Sequence, residues 1–306
     1  MFTRRVNDIS APGGKQEDIF VTKRNSNNNW SKSYLVSNAI NSEYNEGAPT
    51  FSSDGQYIIF VGCETGAKGD YQYGGDRIGY GSCDLFYSQN NGTNWTKPVN
   101  LGPKINSKHW ETQPSFASDG KTLYFIRGMN YDRQRRNPNN QDIYVTEILE
   151  NGQWSTPRKL SSKINTPYRE ESVQIHPDGK TLYFASNGHP GMGGLDIYMS
   201  RKLEDDSWSK PINLGFPINT FLNENSILIS PKGDLGYFSS DRKGGFGDLD
   251  LYSFILSDKF KPQPITYLKG RIIDAETKFP LTASFQLSDL EKDNVISQMQ
   301  SKPGNG

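Results

Sequence analysis

Carboxylates recur at fixed intervals along this 306-residue chain, and they are its densest set of groups able to do chemistry. Four glutamates (Glu46, Glu111, Glu170, Glu224) and four aspartates (Asp84, Asp142, Asp196, Asp250) each occupy the same place in a repeating pattern. A ring of such oxygen donors would suit Ca²⁺, and paired acids would suit proton transfer. The three histidines, His109, His176 and His189, fall in different copies of the pattern, and neither a G-x-S-x-G elbow nor an H-E-x-x-H zinc motif occurs. Convergent acid, base and nucleophile are therefore not expected, and the chain reads as a non-enzyme. A residue required in every copy is better explained by structure. The aspartates, each at a strand start, are expected to accept backbone N–H groups in a turn. The glutamates, just ahead of a strand, are expected to make bonds between neighbouring sheets. Ca²⁺ bound by the glutamate ring is the alternative; no other cofactor is expected.

The elements that must position these groups follow from the repeat. Each copy opens on a tryptophan (Trp30, Trp95, Trp154, Trp208), with an asparagine eleven residues later (Asn41, Asn106, Asn165, Asn219) and the glutamate sixteen later. A tight turn comes next: Asp54-Gly55, Asp119-Gly120, Asp178-Gly179 and the variant Lys232-Gly233. An Asp-[Ile/Leu]-aromatic triplet closes the copy, and an extra triplet, Asp18-Ile19-Phe20, precedes the first tryptophan. Periods of 54 to 65 residues with four strand-like runs each predict an all-β propeller. In one copy strand A is placed at 112–117, B at 122–127, C at 141–147 and D at 154–160, with Asn151-Gly152 as the C–D hairpin turn. Pro98, Pro157 and Pro211 fall in strand D; proline lacks a ladder donor, so D belongs at the blade's outer edge.

Counting strands gives a first blade with B, C and D, three complete blades, and a last blade with A, B and C: five blades, with six as the alternative. Residues near 262–268 are the candidate closing strand. Met1–Val6 aligns with Tyr124–Gly128 in a later copy, so the chain is expected to start inside a blade, as a fragment of something longer. The propeller is placed at 1–262. The change of pattern after it predicts the beginning of a second, incomplete domain at 263–306.

Thirty-four basic residues balance thirty-four acidic ones, which leaves no net field to gather nucleic acid or anionic lipid. No apolar run reaches the roughly 18 residues of a membrane helix. Strand alternation puts the D–A and B–C connections on one face, with insertions at 64–82, 128–140 and 187–194. Tyr71, Tyr73, Tyr80, Tyr131, Arg133, Arg135 and Arg136 in these insertions are types that anchor protein interfaces, and they form the candidate partner-binding set. Trp110 and Tyr131 are the candidates for a glycan-binding or glycan-processing alternative, packing between blades being the other reading of Trp110. Cys63 and Cys83, the only cysteines, would face each other across the base of the first insertion. A disulfide there would imply an oxidising compartment; two unrelated buried thiols are the other reading.

The strand pair of the form S-x-D-G-x-x-[LI]-Y-F, seen as Ala117–Phe125 and His176–Phe184, resembles the TolB-type, WD40-like propeller repeat. Gly188–Tyr198, and Trp208–Gly215 followed by Ile218-Asn219-Thr220, are similar to the propeller of OmpA-family envelope proteins of Bacteroidetes. Leu268–Asp274 with Pro280–Ala283 resembles the start of a carboxypeptidase-regulatory-like domain, which implies an incomplete β-sandwich at 263–306 and follows the propeller in type IX secretion proteins of the PorE kind. The resemblance implies a periplasmic scaffold associated with the outer membrane. Its partners would be proteins of the secretion apparatus, and peptidoglycan would be bound only through a domain absent from this chain.

Overall fold

Strand pairing follows the repeat. The structure, a computed structural model, describes all residues except 8–13, 28, 65–72, 74–76, 133–136, 266–269, 290–293 and 302–306. It divides into two compact units, Met1–Ile265 and Thr266–Gly306. In the first unit the described strands form five successive antiparallel groups, here called blades 1 to 5. Blade 1 holds β1 (Phe2–Asn7), β2 (Lys15–Val21) and β3 (Tyr34–Leu35). Blade 2 holds β4 (Asn45–Phe51), β5 (Tyr57–Cys63), β6 (Cys83–Gln89) and β7 (Val99–Asn100). Blade 3 holds β8 (Trp110–Phe116), β9 (Thr122–Asp132), β10 (Asn137–Glu147) and β11 (Arg158–Lys159). Blade 4 holds β12 (Glu170–Ile175), β13 (Thr181–Ser186), β14 (Asp196–Arg201) and β15 (Ile212–Asn213). Blade 5 holds β16 (Glu224–Ile229), β17 (Leu235–Ser240) and β18 (Asp250–Ile255). The second unit carries the hairpin β19 (Ser284–Asp289) and β20 (Asn294–Gln300). No described helix is long and apolar enough to cross a membrane.

The apolar runs of the B strands explain the stacking. Every residue of β13 is buried. Successive side chains of a strand point to opposite faces, so such a run needs cover on both sides. Leu182 and Phe184 join a core with Ile126, Ile143 and Val145 of blade 3. Tyr183 points the other way, into a core with Ile229 and Phe238 of blade 5. Two further cores lie between blades 1 and 2 and between blades 2 and 3. The aspartate-glycine turns close the opposite ends of the A and B strands. Gly55, Gly120, Gly179 and Gly233 sit there at φ 68° to 74°, with room for a Cβ at the first three, so backbone conformation selects glycine at those three.

Several boundaries differ from the sequence reading. Strand D shrinks to two paired residues: Trp154 makes an isolated bridge to Ile148, Pro157 interrupts the ladder, and pairing resumes at Arg158. The insertion at 128–140 largely continues the β9–β10 ladder, with pairs as far as Asn137↔Asp132. Residues 261–265 make no closing strand. The chain leaves β18 through a short 3₁₀ turn (Asp258–Phe260) and runs under blades 4 and 5. There Tyr183 donates to the Phe260 carbonyl at 2.6 Å, Arg201 to the Lys261 carbonyl at 2.7 Å, and the Gln263 N–H to Asp178 at 3.0 Å. Two prolines, Pro262 and Pro264, remove ladder donors from this segment.

The asparagine of each repeat replaces a missing strand. Where strand D has turned away, Asn165 Oδ1 accepts the Ile143 N–H at 2.8 Å and its Nδ2 donates to the Ile143 carbonyl at 3.0 Å. Asn41 does the same to Ile19, Asn106 to Leu85 and Asn219 to Ile197. Replacing Asn165 by Ala leaves the buried Ile143 N–H without a partner, at a cost of about 1–3 kcal/mol, while the Ile143 carbonyl keeps the Leu160 N–H at 3.0 Å. Urea unfolding of Asn165→Ala should therefore show a clearly lower midpoint than the parent. An unchanged midpoint would mean that water takes over the Ile143 N–H.

Candidate functional site

The glutamates are clasps for the loops that enter each blade. Glu170, at the start of β12, accepts the Thr166 N–H at 2.8 Å, the Thr166 hydroxyl at 2.7 Å and the Ser186 hydroxyl at 2.8 Å. Glu224 repeats this with Thr220 and Ser240, Glu111 with Ser107, and Glu46 with Ser42. Arginines complete three of the sets: Arg77 reaches Glu46 at 3.0 Å, Arg127 reaches Glu111 at 2.7 Å and Arg242 reaches Glu224 at 3.2 Å. Each carboxylate is thus spent on its own blade and on the loop arriving from the preceding one. Among the described residues, no three His, Cys, Asp or Glu side chains gather as a metal centre.

The triplet aspartates hold the B–C loops. Asp84 accepts the Tyr80 and Gly81 N–H groups, Asp196 those of Met192 and Gly193, and Asp250 those of Phe246 and Gly247. Asp142 departs from the rule and pairs with Lys159 at 2.7 Å. Two of the three histidines are also committed. His176 Nε2 lies 3.0 Å from the Ser230 carbonyl of the next blade, and its Nδ1 accepts the Asp178 N–H. His189 Nε2 lies 2.8 Å from the Ile164 carbonyl, and its ring packs against those of Phe184 and Tyr198.

Cys63 and Cys83 are directly paired across β5 and β6 and joined by a disulfide with S–S 2.04 Å. Of the tyrosines singled out in the first insertion, Tyr80 is exposed but Tyr73 is fully buried. The Tyr73 ring packs on Phe86 and its hydroxyl donates to the Gly81 carbonyl, so Tyr73 anchors the loop and is not partner-facing. Arg77 is likewise buried against Glu46 and the Ile40 carbonyl. Tyr71, Arg133, Arg135 and Arg136 lie outside the described residues, as does the side chain of Tyr131. Trp110, the glycan candidate, packs on the core between blades 2 and 3.

The loop face exposes apolar side chains, of which the sequence reading singled out Tyr80 and passed over the rest. Ile78 and Tyr80 come from the blade 2 B–C loop, Met192 and Phe246 from those of blades 4 and 5. Tyr168, Phe216 and Phe221 come from the D–A loops between blades. Phe216 and Phe221 are 77% and 75% exposed, far more than an aromatic ring in a packed core. The loops that carry them are well held. The Gly194 N–H donates to the Leu222 carbonyl at 2.9 Å, and a Cβ on Gly193 would sit 2.5 Å from the Phe221 carbonyl carbon. This close approach explains the Gly193-Gly194 pair. The aromatic tips are therefore presented on braced backbone.

No protein-family model and no curated protein matches this sequence. Solved structures do. TolB from Acinetobacter baumannii aligns at TM-score 0.50 and 14% identity, over 83% of this chain and 50% of that one. A putative TolB from Agrobacterium tumefaciens aligns at TM-score 0.39 and 16% identity, over 76% and 87%. An alpha-L-arabinofuranosidase from Lactobacillus brevis aligns at TM-score 0.46 and 14% identity, over 79% and 85%. The chain spans about half the length of the Acinetobacter TolB. At these identities the likeness concerns fold alone, and the fold is a TolB-like β-propeller.

The buried clasps make the fold sensitive to pH. Burial pushes Glu46 up to about 7, against the opposing pull of Arg77 and Ser42. Burial also raises Asp84, to about 6. A carboxyl whose folded value is raised favours folding while protonated. The gain from Glu46 is complete below its unfolded value near 4.5 and is lost as pH rises through about 7. Asp84 acts in the same direction between 3.8 and about 6. Thermal unfolding should show stability falling from pH 5 to pH 8, with a shallower fall in Glu46→Gln. Equal slopes in the two proteins would exclude Glu46 as the titrating group.

Proposed function

We propose that the propeller is a non-enzymatic protein-interaction scaffold that captures its partner on the loop face. The observation that carries this reading is the set of braced, exposed apolar residues there: Ile78, Tyr80, Met192, Phe216, Phe221 and Phe246. Exposed apolar groups gathered on one face are a mark of interaction sites, and aromatic rings supply most of the anchoring energy of an interface. The commitment of the repeated carboxylates, His176 and His189 to loop and blade bonds also favours binding over catalysis. The resemblance to type IX secretion envelope proteins refines the proposal. The scaffold would work in the periplasm, with components of an outer-membrane secretion apparatus as partners. Peptidoglycan would be reached through a domain outside this chain.

The test is a pull-down from detergent-solubilised Bacteroidetes envelope, using the parent chain and a Phe216→Asp/Phe221→Asp/Phe246→Asp variant. Specific recovery of outer-membrane secretion components should fall about tenfold or more in the variant, the loss expected from removing central anchors. Stability should change little, since exposed substitutions cost within about 0.5 kcal/mol each. Equal recovery by both proteins would place the partner elsewhere. Saturable binding to cell-wall or polysaccharide fragments in place of proteins would replace the scaffold reading with a glycan-binding one.

A further inference from the structure

Blade 5 turns toward blade 1 a face that the other blades keep covered. In blades 1 to 4 the middle residue of the triplet (Ile19, Leu85, Ile143, Ile197) is fully buried. Its peptide is closed by the repeat asparagine. Its side chain shares a cluster with two apolar residues four apart: Val36 and Ile40, Leu101 and Ile105, Leu160 and Ile164, Leu214 and Ile218. The fifth such residue, Leu251, is 57% exposed and meets no asparagine amide among the described residues. Around it, Leu228 is 53% and Ile255 84% exposed. No buried apolar cluster joins blade 5 to blade 1 among the described residues, and β18 ends its sheet.

Blade 1 has the complementary gap. Among the described strands, β1 has no neighbour on its inner side. Arg4 is paired opposite Asp18 as Arg127 is opposite Asp142. It lies 5.5 Å over Phe20, as Arg127 lies 4.8 Å over Tyr144. Arg127 completes this arrangement with Glu111 of the inner strand β8; Arg4 has no such carboxylate among the described residues. The two gaps are in register. Trp30 of blade 1 meets Tyr237 of blade 5 edge-on at 6.4 Å, the contact that Trp208 of blade 4 makes with Tyr124 of blade 3 at 6.3 Å.

We propose that β18 and β1 together form a docking site for one extended peptide of the linker type the chain uses between its own blades. Its pattern is an apolar residue, an isoleucine four later, an asparagine next and a glutamate five after that. The apolar pair would cover Leu251 and Ile255. The asparagine would close the Leu251 peptide by two hydrogen bonds. The stretch beginning at the glutamate would add a strand to β1, with the carboxylate on Arg4. The match is to two separate edges at the spacing of one segment. Strand addition of this kind draws affinity from main-chain bonds and specificity from side-chain pockets.

The probe is a labelled synthetic peptide with the sequence of residues 208–229, titrated into the full 306-residue chain and read by fluorescence anisotropy. Saturable binding is expected, with hydrogen exchange slowed in 250–255 and 2–7. Asn219→Ala in the peptide should weaken binding tenfold or more. Arg4→Ala in the protein should weaken the parent peptide but not one carrying Glu224→Gln, which separates the ion pair from a general loss of fold. Three results would each overturn the proposal: absence of binding to a chain shown folded by circular dichroism, protection confined to the blade 4–blade 5 linker, or concentration-dependent protection of β18 without peptide. The last would identify a second copy of the chain as the occupant.

Discussion

A single side-chain amide, repeated four times, makes the stacked blades feasible. Strand C of each blade must be followed by a short, proline-bearing strand D that leaves early, because the chain has to cross to the next blade. That departure strips the N–H of the triplet's middle residue of its ladder partner, while the carbonyl keeps one. A buried backbone group without a bond costs as much as several good contacts supply. The asparagine amide carries one donor and one acceptor in the geometry of a peptide, so it closes the gap without continuing the strand. Five residues on, the glutamate fastens the same loop to the blade it enters. One short segment is thus bonded to two blades, and the arginines and hydroxyls around the glutamate make the burial of its carboxylate tolerable.

With the segment fixed, the loop face follows. The triplet aspartates gather the N–H groups of the B–C loops, and those loops lean on the D–A loops already held by asparagine and glutamate. Tyr73, the disulfide and Arg77 brace the long first insertion in a way the shorter loops achieve with glycine pairs. The exposed rings of Phe216, Phe221 and Phe246 therefore project from loops whose backbones are bonded. Such preorganisation lowers the entropic cost of binding.

Much of this was legible in the sequence because it is written in residue types that act locally. The glycine turns, the outer-edge prolines, the triplets and the constant tryptophan–asparagine–glutamate spacing all carry their meaning in the letters. The burial of Tyr73 does not, since a tyrosine in a Tyr- and Gly-rich insertion looks the same whether it anchors a loop or a partner. Nor does the long hairpin at β9–β10, whose arms carry Asn130, Asn137, Asn139 and Asn140. The least legible feature lies in the inner strands. Two residues after each clasping glutamate, Ala48, Gln113, Ser172 and Ser226 adopt φ of 45° to 54°, and the A–B register shifts there in each of these blades. A bulge at this place lets the innermost strand bend. Nothing in an alanine, a glutamine and two serines announces a left-handed backbone; only their common offset from the glutamate does.

The out-of-phase segment also bears on how the molecule responds to force. In a solenoid each repeat touches only its neighbours and can peel away alone. Here every repeat supplies the end of one blade and the beginning of the next. Extracting an inner strand would drag with it the amide that seals the preceding blade, and exposing that seal would loosen the core on which the extracted blade had rested. Mechanical loading spreads sideways through the linkers, so the blades resist as a set. Among the described residues, blades 5 and 1 meet through an aromatic contact, Trp30 on Tyr237, and an ion pair at 4.0 Å between Arg5 and Asp248, and not through an asparagine–glutamate linker.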